Sequence, residues 1–355
     1  MSTQPATAPV SDRPAREDQP FLSVRDLTVH FPTDDGLVKA VDGISFDLRR
    51  GKTLGIVGES GSGKSVTNQA IFGLHRRSRA IATGEIWLDG KELLGMPDEQ
   101  LRQLRGQTMA MIFQDPLSAM HPFYTVGHQI VEAIRVHDRG ISKDAARTRT
   151  IEMLDLVGIP DPKRRVDRYP HEFSGGMRQR AMIAMALVNN PKLLVADEPT
   201  TALDVTVQAQ ILQLMKDMQQ EFGTSIIMIT HDLGVVAESA DDVMVMYGGK
   251  AVEKSSTHEC FKDPQHPYTW GLLKSMPRLD QTRTERLDPI PGNPPSLINV
   301  PSGCAFHPRC VYRDQVSGDQ CAGVVPMLAD HVLGHSVRCH LTSEQRGILR
   351  PVEGR

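Results

Sequence analysis

A glycine-rich segment that contains one lysine and ends in a serine carries the clearest chemistry of this sequence. Residues 58–65 read GESGSGKS and fit the pattern G-x-x-x-x-G-K-[ST]. Because glycines let the backbone turn sharply, the N–H groups of such a loop can converge on phosphate oxygens. The segment therefore predicts a binding site for a nucleoside triphosphate. The residues predicted to contact it are Gly58, Ser60, Gly61, Ser62, Gly63, Lys64 and Ser65.

The stretches on either side of this phosphate loop have the composition of a strand and a helix. Residues 53–57 read TLGIV, which predicts a buried strand, and residues 65–74 begin with good helix formers. The helix N-terminus adds a positive dipole, Lys64 reaches the β- and γ-phosphates, and Ser65 offers its hydroxyl to Mg²⁺. The alternative, a glycine-rich turn with an exposed lysine, does not account for this order of elements.

Two acidic residues end a second apolar strand. Residues 192–198 read KLLVADE. A carboxylate at a strand end beside a phosphate loop can anchor Mg²⁺, and this role is predicted for Asp197. Glu198, one residue further along, is placed to polarise a water molecule for attack on the γ-phosphate. A strand that stops in solvated acids is the alternative, which the preceding phosphate loop disfavours.

Two further polar residues follow apolar runs. His231 comes directly after TSIIMIT at 224–230, a position that predicts contact with the γ-phosphate. An ordinary surface histidine is the alternative. Gln114 comes after MAMIF at 109–113, and by itself it indicates no function.

A pair of glycines after a serine opens a long helical run. Residues 174–187 read SGGMRQRAMIAMAL. A serine hydroxyl and glycine amides at a helix N-terminus form an anion cradle, so Ser174, Gly175 and Gly176 predict a second phosphate contact. A flexible linker is the alternative, which the helical continuation disfavours.

In this order the motifs resemble the nucleotide-binding subunit of an ABC transporter, and the resemblance covers nearly the whole chain from Phe21 onward. Its signature, FSGGMRQR at 173–180, departs from the common L-S-G-G-Q form at Phe173 and Met177, and ALD at 202–204 matches the D-loop. The resemblance implies an α/β fold. This fold has a P-loop NTPase (RecA-like) core, an antiparallel β subdomain, an α-helical signature subdomain and a small C-terminal extension.

The resemblance also implies how the cofactors ATP and Mg²⁺ are held. The signature of one chain closes on the γ-phosphate of ATP bound by a partner subunit, so that two ATP molecules lie head to tail between the chains. Gln114 senses the γ-phosphate and contacts Mg²⁺ together with Ser65 and Asp197, and Asp204 joins the nucleotide site. Phe31 is the candidate for stacking on adenine, with a plain core phenylalanine as the alternative.

The composition is that of a soluble globular protein, with 39% hydrophobic and 23% charged residues. A net charge of −3 gives no electrostatic attraction to nucleic acid. No apolar stretch approaches the roughly 20 residues that span a bilayer. The first 20 residues are rich in Pro, Ser, Thr and charge, which predicts a disordered leader rather than a signal peptide. We therefore expect a cytoplasmic chain whose membrane attachment comes through partner chains.

The chain is expected to divide into three parts. Residues 1–20 form the leader, 21–260 the ATPase domain with a helical subdomain at about 115–185, and 261–355 a C-terminal extension. The sequence has one phosphate loop, which indicates one ATPase domain and not a tandem pair.

The C-terminal extension indicates which subfamily of ABC ATPases the chain resembles. Residues 263–269 read DPQHPYT, which resembles the C-terminal extension of oligopeptide and dipeptide importer ATPases. The resemblance implies a peripheral protein at the cytoplasmic face of the membrane that powers uptake of peptides or a related small solute. Its implied partners are two transmembrane permease subunits, a second and distinct ATPase subunit, and an extracytoplasmic substrate-binding protein, without nucleic acid.

Four of the five cysteines lie in this extension, at Cys304, Cys310, Cys321 and Cys339, with the spacing C-x5-C-x10-C-x17-C. Clustered thiols in a cytosolic chain indicate a metal rather than disulfides, and four thiolates suit Zn²⁺ or a [4Fe–4S] cluster. The family resemblance favours the cluster, and reduced structural thiols are the third possibility. The nearby histidines that could substitute as ligands are His307, His331, His335 and His340. The remaining cysteine, Cys260, is expected to be a small buried hydrophobic residue.

Two other functions compete with transport. A soluble ABC-type ATPase could act on nucleic acid, ribosomes or cluster assembly, but such proteins usually carry two ATPase domains or long coiled-coil insertions, which this sequence lacks. An ordinary P-loop GTPase or kinase is disfavoured by the signature and the D-loop.

Overall fold

The structure, a computed structural model, describes residues 19–200, 203–276 and 289–351. The expected leader at 1–20 lies outside these ranges except for its last two residues, and Ala202 of the expected D-loop lies outside them as well. In the described ranges no helix is both long and apolar enough to cross a membrane.

The described residues form the strands β1 (Leu22–Thr33), β2 (Gly36–Leu48), β3 (Thr53–Val57), β4 (Ile81–Leu88), β5 (Lys91–Glu92), β6 (Met109–Ile112), β7 (Leu193–Asp197), β8 (Ser225–Thr230), β9 (Asp242–Tyr247), β10 (Lys250–Ser256), β11 (Ala329–Val332) and β12 (His335–Val337). The helices are α1 (Lys64–Ile71), α2 (Asp98–Leu104), α3 (Pro116–Ala119), α4 (Val126–His137), α5 (Lys143–Leu156), α6 (Pro162–Arg165), α7 (Gly175–Leu187), α8 (Val205–Phe222), α9 (Leu233–Ser239), α10 (Thr257–Lys262), α11 (Pro267–Lys274), α12 (Gln320–Gly323) and α13 (Ser343–Leu349). Short 3₁₀ helices lie at Leu74–Arg77, Pro170–Glu172, His307–Arg309, Arg313–Gln315 and Ser317–Asp319.

The larger of the two sheets has the strand order β11-β12-β10-β9-β3-β8-β7-β6 within the described residues. Its middle strands β9, β3, β8, β7 and β6 are parallel. Every residue of β3 and β8 is buried, as expected for apolar strands that are covered on both faces. Because parallel strands end at the same edge of a sheet, the residues that follow β3, β7 and β8 are brought together there.

The smaller sheet is antiparallel, with the order β2-β1-β4-β5. Its buried residues Leu22, Ile44 and Ile86 belong to one apolar cluster with Leu54 of β3 and Ile71 of α1. The helix behind the phosphate loop is therefore packed against residues of both sheets.

The helices between β6 and β7 form a second apolar cluster that includes Ile130, Leu154 and Ile183. Thr125 and Ser142 cap the N-termini of α4 and α5, each accepting a hydrogen bond from a backbone N–H of the first turn. This helical region stands between the strand that precedes Gln114 and the strand that ends at Asp197.

The C-terminal extension continues the larger sheet. Strand β12 pairs antiparallel with β10, where Val337 lies opposite Glu253. The rings of Tyr247 and Tyr268 are 4.7 Å apart between centroids, and Phe306 packs on both. Cys260 is fully buried in the same cluster, which confirms the expectation of a small buried hydrophobic residue.

Candidate nucleotide site

The phosphate loop connects β3 to α1. The strand occupies 53–57 as predicted, and all five of its residues are buried. The helix begins at Lys64, one residue earlier than predicted, and ends at Ile71. It ends early because Gly73 adopts a left-handed φ of 63° and starts a short 3₁₀ helix.

Two glycines of the loop stand where no larger residue fits. A Cβ added to Gly58 would lie 2.2 Å from the carbonyl oxygen of Met246, and one added to Gly63 would lie 2.2 Å from that of Ala40. Gly63 also has a φ of 103°, which side chains rarely adopt. The neighbouring strands therefore pack directly on the loop backbone.

Gly63→Ala is expected to lower the free energy of unfolding by about 3 kcal/mol or more, because the backbone contact and the positive φ both oppose a Cβ. Gly223→Ala is the matched control, since Gly223 has a φ of 66° but no atom within 4 Å of an added Cβ. The control should cost only about 1 kcal/mol. Urea denaturation measures the free energy of unfolding of the two variants. Equal losses of stability in both would contradict the steric argument.

Lys64 is buried within the phosphate loop. Its Nζ donates hydrogen bonds to the carbonyl oxygens of Gly58 at 2.6 Å and Glu59 at 3.0 Å. Burial lowers the pKa of Lys64, while the carboxylates of Glu198 and Asp197 act in the opposite direction. The ammonium group is thus held beneath the loop by carbonyl oxygens, with acidic groups close by.

Ser65 and Asp197 meet across the strand ends. The Ser65 hydroxyl donates to Asp197 Oδ1 at 3.2 Å, although the two residues are 132 positions apart. Burial raises the pKa of Asp197, the Ser65 hydrogen bond opposes that rise, and the neighbouring Glu198 adds to it. One hydroxyl and one carboxylate, both hard oxygen donors of the kind that Mg²⁺ prefers, therefore lie together.

Glu198 is contacted by both of the polar residues that follow apolar strands. Gln114 Nε2 donates to Glu198 Oε2 at 3.1 Å, and His231 Nδ1 lies 3.4 Å from Glu198 Oε1. Glu198 has a φ of 49°, a left-handed conformation that is uncommon for this residue type, and its N–H donates to the carbonyl oxygen of Ile229. The carboxylate is thus held between an amide and an imidazole.

The residues of the signature lie at the start of α7. Ser174 is the N-cap, where its hydroxyl accepts a hydrogen bond from the N–H of Met177 at 3.3 Å, and Gly175 and Gly176 are the first two helical residues. Their amides have no acceptor within the helix. Across the described ranges, no hydrogen bond or ion pair joins these three residues to 58–65.

Asp204 stands at the corresponding position of the next long helix. It caps α8, and its Oδ1 accepts a hydrogen bond from the N–H of Val207 at 3.0 Å. A Cβ added to Gly176 would lie 3.4 Å from Val207 Cγ1, so the starts of α7 and α8 are neighbours. Its carboxylate is thus used as a helix cap.

Phe31 lies on β1 opposite Val38 of β2. It is partly buried and packs against the apolar cluster that the two sheets share. Adenine stacking by Phe31 remains a prediction.

A set of contacts that sequence reasoning missed joins the extension to the phosphate loop. The Tyr268 hydroxyl accepts a hydrogen bond from the N–H of Glu59 at 2.8 Å. Arg309 donates to the two carboxylate oxygens of Glu59 at 2.6 and 3.0 Å. The only local signals were the tyrosine of DPQHPYT and an arginine among the cysteines, and neither indicates its partner.

The four cysteines of the extension lie near one another without forming a metal-holding group. The N–H of Cys304 donates to the carbonyl oxygen of Cys321 at 2.8 Å. Burial raises the pKa of Cys310 to about 11 and that of Cys339 to about 12, and the nearby Cys304 adds to both shifts. Among the described residues, no group of three or more His, Cys, Asp or Glu side chains could hold a metal ion. The four thiols are half-buried, and the described residues show no iron–sulfur or zinc ligand set around them.

The four histidines near these cysteines are engaged elsewhere. Their ring nitrogens lie within hydrogen-bond distance of Cys304 O for His307, Ser343 Oγ for His331, Glu253 Oε1 for His335 and Val324 O for His340. None of the four completes a metal-holding group in the described part of the chain.

The sequence matches two family models. Residues 41–201 match the ABC transporter model, and residues 252–316 match the oligopeptide/dipeptide transporter C-terminal region. The oligopeptide transport ATP-binding protein OppD of Bacillus subtilis is 55% identical over 301 residues, which is 84% of each chain. OppD of Haemophilus influenzae is 49% identical over 92% of this chain and 98% of that protein. The dipeptide transport ATP-binding protein DppD of Bacillus subtilis is 51% identical over 91% and 95%.

Solved structures of ABC ATPase cassettes are similar to this chain. The dimeric ATP-binding cassette MJ0796, in a post-hydrolysis state with ADP and Pi, has a TM-score of 0.61 and 26% identity over 66% of this chain and 98% of that chain. CbiO1 of Clostridium perfringens, part of the ABC transporter complex cbiONQ, has a TM-score of 0.58 and 29% identity over 69% and 92%. These likenesses confirm the predicted P-loop NTPase fold. The chain therefore belongs to the family of oligopeptide and dipeptide ABC transport ATP-binding proteins, and it hydrolyses ATP.

Proposed function

We propose that this protein couples ATP hydrolysis to uptake of oligopeptides or dipeptides, or of a related small solute, through separate membrane subunits. The observation that carries the proposal is that one chain combines the Ser65–Asp197 and Gln114–Glu198 contacts with a match to the peptide-transporter C-terminal region at 252–316. Relatives with about half of their residues identical are named as peptide transport proteins, which does not favour a soluble ATPase acting on nucleic acid, ribosomes or cluster assembly.

The contacts described above support the following residue roles. We assign Lys64 and the loop amides to the β- and γ-phosphates, and Ser65, Asp197 and Gln114 to Mg²⁺, whose chemistry is to neutralise phosphate charge when bound. Glu198 orients the attacking water and accepts its proton at a carboxylate oxygen. His231, 3.4 Å from that carboxylate, contacts the γ-phosphate.

A second ATPase subunit completes each site in this proposal. Support comes from the amides that begin α7, which face no acceptor in their own helix and have no hydrogen bond to loop 58–65 in the described residues. Ser174, Gly175 and Gly176 would contact ATP held by the partner subunit, and Asp204 lies beside them. A distinct but similar partner chain is favoured over a second copy by the family resemblance.

The helical region offers a surface for the permease subunits. Phe113 is 46% exposed and Phe123 is 81% exposed, which is unusual for large apolar side chains. Phe113, Tyr124 and Val136 line a groove of about 540 Å³ beside α4. We assign this groove to the two transmembrane permease subunits, which would hold the chain at the cytoplasmic face of the membrane. An extracytoplasmic substrate-binding protein would then supply the solute.

Uptake in cells tests the transport proposal. Cells whose only copy of this chain carries Glu198→Gln should lose accumulation of a radiolabelled tripeptide and a radiolabelled dipeptide. Glu221→Gln, an exposed glutamate in the last turn of α8, is the matched control and should retain it. If cells lacking the chain accumulate both peptides normally, peptide uptake is the wrong assignment.

We also propose that Cys304, Cys310, Cys321 and Cys339 bind an inorganic group, with a [4Fe–4S] cluster ahead of Zn²⁺. Support comes from the mutual proximity of their thiols, each of which lies within electrostatic range of another. Binding would require the thiols to deprotonate and draw closer together.

Visible absorption and metal analysis after anaerobic purification distinguish a cluster, a zinc site and metal-free thiols. The expected result is broad absorption near about 400 nm, with about four irons and four sulfides per chain. Stoichiometric zinc without sulfide would replace the cluster by a zinc site. A colourless protein without either metal would show that the four residues are structural thiols.

A further inference from the structure

The contact between the C-terminal extension and the phosphate loop has no place in the roles assigned above. It centres on Glu59, the second residue of the loop, which is bound by Tyr268 from α11 and by Arg309 from the 3₁₀ helix His307–Arg309. We propose that Tyr268 and Arg309 are positioning residues of the nucleotide site, which act by fixing Glu59. The proposal rests on ATP binding at the loop and not on which solute is transported.

The peptide unit between Gly58 and Glu59 is held from both sides. Its carbonyl oxygen accepts a hydrogen bond from Lys64 Nζ at 2.6 Å, and its N–H donates to the Tyr268 hydroxyl at 2.8 Å. Because C=O and N–H point in opposite directions in a trans peptide, Tyr268 on one side keeps the carbonyl turned toward Lys64 on the other. A rotation of this peptide would break both bonds and leave Lys64 with only its 3.0 Å hydrogen bond to the carbonyl oxygen of Glu59.

The side chain of Glu59 is fixed as firmly as its backbone. Arg309 makes a two-point contact with its carboxylate, with distances of 2.6 and 3.0 Å, and the arginine side chain is only 5% exposed. Arg309 Nε donates to the carbonyl oxygen of Pro291 at 2.8 Å, and Nη1 donates to the Tyr247 hydroxyl at 3.3 Å. With these partners the guanidinium group has one available geometry, which makes it a rigid anchor for the loop.

The ion pair between Arg309 and Glu59 also neutralises a negative charge in the phosphate loop. A carboxylate inside a phosphate loop would repel the triphosphate that the loop must bind. The Arg309 guanidinium cancels that charge and also turns the carboxylate away toward the extension. Removing Arg309 should therefore weaken ATP binding more than removing the charge of Glu59, because only the first change leaves an unpaired anion beside the ligand.

Titration of the full-length chain with ATP and Mg²⁺ tests these steps. Arg309→Met should raise the Kd for ATP about tenfold, as expected when a buried charged partner is lost. Glu59→Gln should change it less, and the double variant should return to within about threefold of the native value because the unpaired carboxylate is gone. Tyr268→Phe, which keeps the ring in its cluster, should raise the Kd about fivefold through loss of one hydrogen bond.

The controls separate positioning from simple attachment of the extension. Arg313→Met removes an exposed arginine of the same extension, and Tyr312→Phe removes the hydroxyl of a ring that packs on Trp270. Both should keep the native Kd. Thermal unfolding of each variant measures its stability. A loss of ATP affinity without a matching loss of stability indicates positioning, because a purely structural contact would lower both together.

The outcome is decisive even if one variant fails to fold. Should Arg309→Met be insoluble, Tyr268→Phe and Glu59→Gln test the same peptide from residues that lie away from the cysteines. Native Kd values in all folded variants would overturn the positioning role. A native chain that itself fails to bind ATP would instead refute the nucleotide site, so the two failures are distinguishable.

Discussion

Glu198→Gln is expected to lower the rate of ATP hydrolysis in the assembled transporter by about a thousandfold, while ATP binding remains close to native. A carboxylate that accepts a proton from the attacking water contributes a factor of this size, and an amide cannot accept that proton. The substitution is nearly isosteric, so its oxygen can still accept the Gln114 hydrogen bond. Phosphate release under single-turnover conditions measures the chemical step.

Together with the proposed partner ATPase subunit, the variant should also accumulate as an ATP-bound closed dimer, because in that arrangement each signature stays on a γ-phosphate that is not cleaved. Size-exclusion chromatography with ATP and Mg²⁺ detects this state. Glu221→Gln provides the control for loss of a glutamate charge elsewhere on the surface. Turnover by Glu198→Gln at the native rate would remove Glu198 from its assigned role.

Lys64→Met should raise the Kd for ATP by about a hundredfold without destabilising the fold. The ammonium group supplies charge-assisted hydrogen bonds to the β- and γ-phosphates, and a thioether supplies none. Stability should change little, because removing a buried ammonium group avoids its desolvation cost while the carbonyl oxygens of Gly58 and Glu59 lose their hydrogen bonds. Isothermal titration and thermal unfolding measure the two effects.

Lys216→Met, on the exposed face of α8, is the matched control and should leave both quantities unchanged. A parallel fall in unfolding temperature and affinity for Lys64→Met would indicate collapse of the loop instead of a lost phosphate contact. Native affinity for this variant would exclude Lys64 from the phosphate site.

Those parts of the molecule that depend on neighbouring residues were predictable from the amino-acid sequence. Strand 53–57 and the loop that follows it were predictable because an apolar run, a glycine pattern and a helix former stand next to one another in the chain. The approximate end of β7 at Asp197 and that of β8 before His231 were visible for the same reason. The local signal was weaker at the end of α1, and there the helix was predicted to end three residues too late.

Contacts between residues far apart in the chain could be seen only in the folded structure. Glu59 and Arg309 are 250 positions apart, and Glu59 and Tyr268 are 209 apart, so no spacing rule could pair them. The four cysteines, spread over 304–339, likewise come near one another only through the fold. The physical reason is that short motifs encode backbone geometry and side-chain chemistry. Contacts between separate elements depend instead on how those elements pack together in the fold. Here the packing places the C-terminal extension against the phosphate loop.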